Sequence, residues 1–157
     1  MKVSVLQENL SKGLGIVGPA TSPRSTLPVL GNVLLATDNG KLKLSATNLE
    51  VGISCWIAGN VVEDGGITLP ARTLSDLVNA LPKERVDMAL TERTQTRNLV
   101  SGRTEANIKG IDMQEFPIVS QPGQDDHAIT IDADLLSTAI RQVAVAAAED
   151  GSRPILE

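Results

Sequence analysis

Residues 3–17 read VSVLQENLSKGLGIV, and the chain repeats the pattern twice. Residues 67–81 read ITLPARTLSDLVNAL and residues 129–143 read ITIDADLLSTAIRQV. Each copy opens on an apolar-polar-apolar triplet (Val3-Ser4-Val5, Ile67-Thr68-Leu69, Ile129-Thr130-Ile131), the period of a half-buried strand. After four intervening residues come Leu10-Ser11, Leu74-Ser75 and Leu136-Ser137. Leu14, Val78 and Ile140 follow, and then Val17, Leu81 and Val143. Apolar positions four and three apart form one stripe along a short helix. Repetition at this period decides the architecture before any single motif does.

Strand and turn signals fill the space between copies. After the first helix, Val33-Leu34-Leu35-Ala36-Thr37 meets the turn Asp38-Asn39-Gly40, and the alternating Lys41-Leu42-Lys43-Leu44-Ser45 comes next. Val51 to Trp56 reads as a further strand. After the second helix, Leu81-Pro82 stops the pattern, and Arg85 to Leu90, Asn98 to Ser101 and Thr104 to Lys109 read as strands. Residues 1 to about 60 and about 61 to 120 are thus two copies of strand-helix-strand-strand-strand. They predict an α+β domain with two helices buried on one face of antiparallel sheet.

Polar Ser120 to Asp126, with its Pro and Gly, reads as a linker. The expected organisation is a first domain over 1–120, a linker over 121–127 and the start of a second domain over 128–157. Residues 128–157 align without a gap onto residues 2–31, matching Leu136 with Leu10, Pro154 with Pro28 and Leu156 with Leu30. The third copy stops where its next strand is due. The expectation is a truncated piece of a longer repeat protein, with 1–120 folding as a unit and the tail poorly anchored or borrowing a partner.

Composition narrows the chemistry. The chain has 157 residues, 41% of them hydrophobic, which is enough for a packed core and excludes disorder throughout. No apolar run reaches the ~20 residues of a membrane span, and no signal peptide opens the chain, so a soluble cytoplasmic protein with no membrane partner is expected. One cysteine, Cys55, excludes an internal disulfide and a cysteine-rich zinc site. One histidine, His127, leaves little for His-based catalysis, and neither cofactor nor metal is expected. Trp56 and Phe116 are the only aromatics, too few to stack single-stranded bases. A net charge of -5 has the wrong sign for bulk attraction to nucleic acid. A nucleic-acid role must rest on a local positive surface.

Several motifs dissolve on inspection. Gly13-Leu14-Gly15-Ile16-Val17-Gly18 fits the G-x-G-x-x-G dinucleotide pattern, but its glycines fall inside or at the end of the first helix instead of opening it. Asp125-Asp126-His127 sits in the linker and reads as a solvated turn. Cys55 beside Trp56 in an apolar strand reads as a packed thiol. Asn9-Leu10-Ser11 fits a glycosylation acceptor only until Leu10 is needed for the core stripe. No convergent catalytic site emerges.

The basic residues carry more. Lys12 and Arg141 fall on exposed faces of repeat helices, Arg24 follows the first helix, and Arg72 precedes the second. Scattered cations are ordinarily solvated surface. The functional reading is that helices of successive units line up and present them to phosphates.

The stretch Arg24-Ser25-Thr26-Leu27-Pro28-Val29-Leu30-Gly31-Asn32 resembles the bacterial sliding clamps, the beta subunits of the replicative DNA polymerase III. So do Ala46-Thr47-Asn48-Leu49-Glu50, Leu69-Pro70-Ala71-Arg72, and Ile111-Asp112 leading to Glu115-Phe116-Pro117. Residues 128–157 resemble the opening of that family's second domain, up to Arg153-Pro154-Ile155-Leu156. The resemblance implies the DNA clamp fold: three similar domains per chain, two chains closed head to tail, helices lining the pore and sheets outside.

By that resemblance Arg24, Arg72, Arg141 and Lys12 would face duplex phosphates. Arg153 and Leu156 would form part of a pocket for peptides of the polymerase and clamp loader. The edge strand from Arg103 to Ile108 would meet the partner subunit of a homodimeric ring. The implied mechanism is topological and non-catalytic: a ring slides along DNA and keeps a tethered polymerase near the primer end. Weak, salt-sensitive phosphate contacts suit sliding. The alternative is a stand-alone clamp-fold module that binds proteins or ligands without encircling DNA.

Overall fold

The computed structural model describes residues 1–91, 96–119 and 129–147. The first unit of the repeat runs β1 (Lys2–Leu6), α1 (Gln7–Val17), β2 (Asn32–Asp38), β3 (Lys41–Thr47), β4 (Gly52–Ile57) and β5 (Gly59–Glu63). The second runs β6 (Gly66–Pro70), α2 (Ala71–Ala80), β7 (Arg85–Thr91), β8 (Thr96–Ser101) and β9 (Thr104–Lys109). Contacts divide the chain into two bodies, Met1–Ser120 and Gln121–Glu157.

The first two opening triplets form strands with Val3, Val5, Ile67 and Leu69 buried, and Thr68 is buried as well, hydrogen-bonded to Asn32 and Ile111. The third, Ile129 to Ile131, forms no strand, and Ile129 is 86% exposed. β1 and β6 each pair with a strand of the other unit, and β1 also pairs with β5 of its own. β1 runs antiparallel to β7, with Val3 opposite Met88 and Val5 opposite Val86. β6 runs antiparallel to β2, with Leu69 opposite Val33 and Ile67 opposite Leu35. Each unit lends its first strand to the other, so the two halves share their sheets. The result is two antiparallel sheets, β5-β1-β7-β8-β9 and β4-β3-β2-β6.

Here the structure adds to the sequence reading, which expects three strands after α1 where four are found. Residues 52–63 run nearly as one strand that changes sheet at Ala58: β4 pairs with β3, whereas β5 pairs with β1. The second unit repeats the move in miniature. Beyond β9, Ile111 bridges to Thr68 of β6 through two 3.0 Å backbone hydrogen bonds. Gly110 permits that crossing, since a Cβ there would lie 2.3 Å from the Thr68 carbonyl oxygen.

Leu10, Leu14 and Val17 of α1 and Ala71, Leu74 and Val78 of α2 enter one continuous core with the inward residues of both sheets. Burying such side chains stabilises by roughly 1.5–3 kcal/mol each. Leu81 leaves the helix in an extended conformation because Pro82 disfavours the helical region in its predecessor. Between β2 and β3, Asn39 and Gly40 both take positive φ, 49° and 73°, as a type I′ hairpin turn requires.

In the other body, α3 (Ala133–Val143) is capped by Asp132, whose carboxylate accepts from the backbone N–H groups of Asp134 and Leu135. Its apolar stripe faces solvent: Leu136 is 43% and Val143 68% exposed. Among the described residues no helix is long and apolar enough to cross a membrane.

Candidate nucleic-acid interface

The two repeat helices of the first body lie against each other. The first turn of α1 is fastened to the last turn of α2 by Gln7, buried, whose Nε2 donates to the Val78 carbonyl at 2.7 Å. Ser11 Oγ donates to Asn79 Oδ1 at 2.7 Å, and the Gln7 backbone N–H donates to the Glu84 carbonyl at 2.9 Å. The sides turned from the core are polar and open: Glu8 and Lys12 on α1, Arg72, Asp76 and Asn79 on α2, and Lys83 just beyond. Each helix thus buries one stripe and shows a charged one, as amphipathic periodicity requires.

The cations are not equivalent. Arg72 is the second residue of α2, not a residue ahead of it as the sequence reading places it, because Pro70 serves as the N-cap and the helix starts at Ala71. Its side chain is 95% exposed, and Nε stands 3.8 Å from Asp76 Oδ2. A cation in a first turn opposes the helix dipole. Lys83 Nζ pairs with Glu8 Oε1 at 3.1 Å across the two helices. The sequence reading missed Lys83 because Pro82 ends the helical count one residue before it. Lys12, exposed on α1, has no ion pair among the described residues.

Arg24 is exposed on the segment leaving α1. That segment is held by the Ser22 N–H to the Leu30 carbonyl at 2.7 Å and by Val29 and Leu30, which pack on Phe116. Arg141 is exposed on α3 and turns back on its own helix, with Nε and Nη2 each 3.3 Å from Ser137 oxygens. Arg103 lies in the exposed turn between β8 and β9, and β9 is a sheet edge. Ile108 points into the core at 8% exposure, so at that position the edge offers backbone and not side chain. Arg153, Leu156 and the Asp125-Asp126-His127 triplet lie outside the described residues.

The glycine motif has a packing reason. A Cβ on Gly13 would meet Leu44 Cδ1 at 2.5 Å and Ile57 Cγ2 at 3.2 Å, so the missing side chain is what lets α1 settle on β3 and β4. Gly15 and Gly18 face open space. Cys55 belongs to the same seat: its Sγ donates to the Gly13 carbonyl at 3.7 Å, and burial pushes the thiol pKa up. A raised pKa disfavours the reactive thiolate.

Residues 1–120 match the family described as DNA polymerase III beta subunit, N-terminal domain. The chain belongs to that family. It is 35% identical over 158 residues to the beta sliding clamp of Synechococcus elongatus, covering 99% of this chain and 42% of that protein. Among solved structures, the DNA polymerase sliding clamp from Bacillus subtilis superposes with a TM-score of 0.90 at 28% identity, covering 99% of this chain and 42% of that one. The DNA polymerase III subunit beta from Pseudomonas aeruginosa gives 0.86 at 30% identity, with 99% and 42% covered. The chain therefore spans about two-fifths of the length of these sliding clamps. The α+β arrangement expected from the repeat and the clamp fold implied by the resemblance are both observed, with the sheet divided in two.

Proposed function

We propose that this chain supplies part of a ring-shaped sliding clamp that encircles duplex DNA and tethers a replicative polymerase, without catalysing a reaction itself. The observation that carries the reading is the pairing of α1 with α2, which puts Lys12 and Arg72, with Lys83 just beyond α2, on solvent-facing surface opposite the side that packs on the sheets. On this reading Arg24, Arg72, Lys12 and Arg141 contact phosphates, and Lys83 joins them. Phosphate contacts carry no sequence information, which suits a protein that must move along any sequence. The net charge of -5 is compatible, because only the pore wall needs positive potential. Arg153 and Leu156 are assigned to a peptide pocket for polymerase and clamp loader. Arg103 and the β9 edge are assigned to the contact with a second subunit in a homodimeric cytoplasmic ring.

The test is a chimera in which these 157 residues replace the matching segment of the Bacillus subtilis clamp. Processive synthesis on a primed circular template, reduced by joint Arg24→Ala and Arg72→Ala substitution, is the expected result. A chimera that assembles and loads but gives the same processivity with and without those arginines would refute their assignment. A chimera that assembles yet never supports synthesis would refute the clamp role.

A further inference from the structure

We propose that Glu8 and Asp76 act as internal competitors of DNA phosphate, each weakening the grip of one cation so that the helical face holds DNA loosely. The proposal rests on the reading that this face meets duplex DNA. Its basis is the arrangement of charge: two of the three cations on α1, α2 and the residues just after them carry a carboxylate partner, Lys83 with Glu8 at 3.1 Å and Arg72 with Asp76 at 3.8 Å.

Neither pair is explained well by stability. All four side chains are more than half exposed, where solvent screens such pairs. Arg72 stands in the helix turn that disfavours cations, and it precedes Asp76 by four residues, the weaker orientation for a helical pair. Glu8 does favour the start of α1, but Lys83 reaches it from a different element. A phosphate approaching Arg72 or Lys83 must displace the carboxylate or share the cation with a second anion. Either way each contact is worth less than that of an unpaired cation. Low energy per contact keeps the barrier small when a sliding protein exchanges one phosphate for the next, and it limits the counterions released on binding.

The experiment measures the full chain binding a fluorescent mixed-sequence duplex by anisotropy across a salt series, beginning at the lowest salt that keeps the protein soluble. Glu8→Gln and Asp76→Asn are compared with Asp64→Asn. Asp64 is exposed in the link between β5 and β6, away from both helices and from the β9 edge. Each helix-face variant is expected to bind about two- to five-fold tighter than the parent. Its slope of log affinity against log salt should steepen by up to about one. Asp64→Asn, with the same change in net charge, should do neither. The gain from Asp76→Asn should vanish when Arg72→Ala is added.

Melting curves run in parallel, and Glu8→Ser and Asp76→Ser replace any glutamine or asparagine variant that melts early. Helix-face variants that bind no tighter than Asp64→Asn, from a parent that does bind, overturn the competitor role alone. Absence of binding by the parent and every variant at the lowest salt overturns the DNA-facing reading itself.

Discussion

Gly13 and Gly15 sit two residues apart in one helix, and the sequence alone gives no reason to treat them differently. The space around them does. Gly13→Ala drives a methyl group into Leu44 and Ile57 and is expected to cost about 1–3 kcal/mol, read as a lower Tm. Gly15→Ala meets nothing within 4 Å and replaces the poorest ordinary helix former but proline, so it should stabilise by up to about 1 kcal/mol. A nucleotide fingerprint would instead make both glycines sensitive in a ligand-binding assay. Ser101 gives a third case: its hydroxyl is buried without a partner among the described residues. Ser101→Ala should therefore leave chemical denaturation unchanged or shift it upward by up to about 1 kcal/mol. Arg72→Ala should also spare the fold, since it removes a cation from a dipole-opposed first turn. Loss of Tm in that variant would mean the arginine is structural after all.

At the scale of elements, the sheet β5-β1-β7-β8-β9 carries a polar clasp on its outer surface. Ser4 Oγ donates to Asp87, Arg85 Nη2 donates to Ser4 Oγ at 2.7 Å, and Arg85 Nε pairs with Asp87 at 2.9 Å. The Ser4 hydrogen bond, and after it Arg85, holds the Asp87 carboxyl below its ordinary value. A depressed folded pKa means that the contribution is present above the unfolded value and is lost as pH falls through the folded one. The window thus opens at about pH 4 and runs downward. Asp87→Asn should flatten that limb of the Tm-against-pH curve while leaving neutral pH little changed, because the group is more than half exposed and screened. An unchanged acid limb would show that the clasp does not couple to folding.

For the whole molecule, the decisive property is how charge is distributed, since its sum is negative. The expected binding to duplex DNA is weak, insensitive to base composition and salt-dependent. Arg24→Ala should reduce the salt slope by about one, and Arg72→Ala by less because Asp76 offsets part of its charge, neither altering the comparison between A·T-rich and G·C-rich duplexes. A preference for one composition would point to base readout and away from a sliding role. The strand exchange between repeat units has its own consequence. With β1 in the second unit's sheet and β6 in the first's, residues 1–120 should unfold in a single cooperative transition, checked by coincident far-UV and Trp56 fluorescence melts.

Over residues 1–120 the repeat, its helices and most of its strands, the core stripes and the hairpin at Asn39-Gly40 were legible in the chain because each is a local pattern: period two, period 3.6, or one pair of residues suited to positive φ. Even the failure of the glycine fingerprint could be read locally, from where it falls in the helix. What tertiary structure alone decided is everything that depends on which surfaces meet. Only packing showed that one strand changes sheet at Ala58, that the halves trade their first strands, and that Ile108 turns inward. Only packing set Lys83 of one unit against Glu8 of the other, because backbone hydrogen bonds and side-chain charges choose partners by proximity in space, which a linear pattern does not encode.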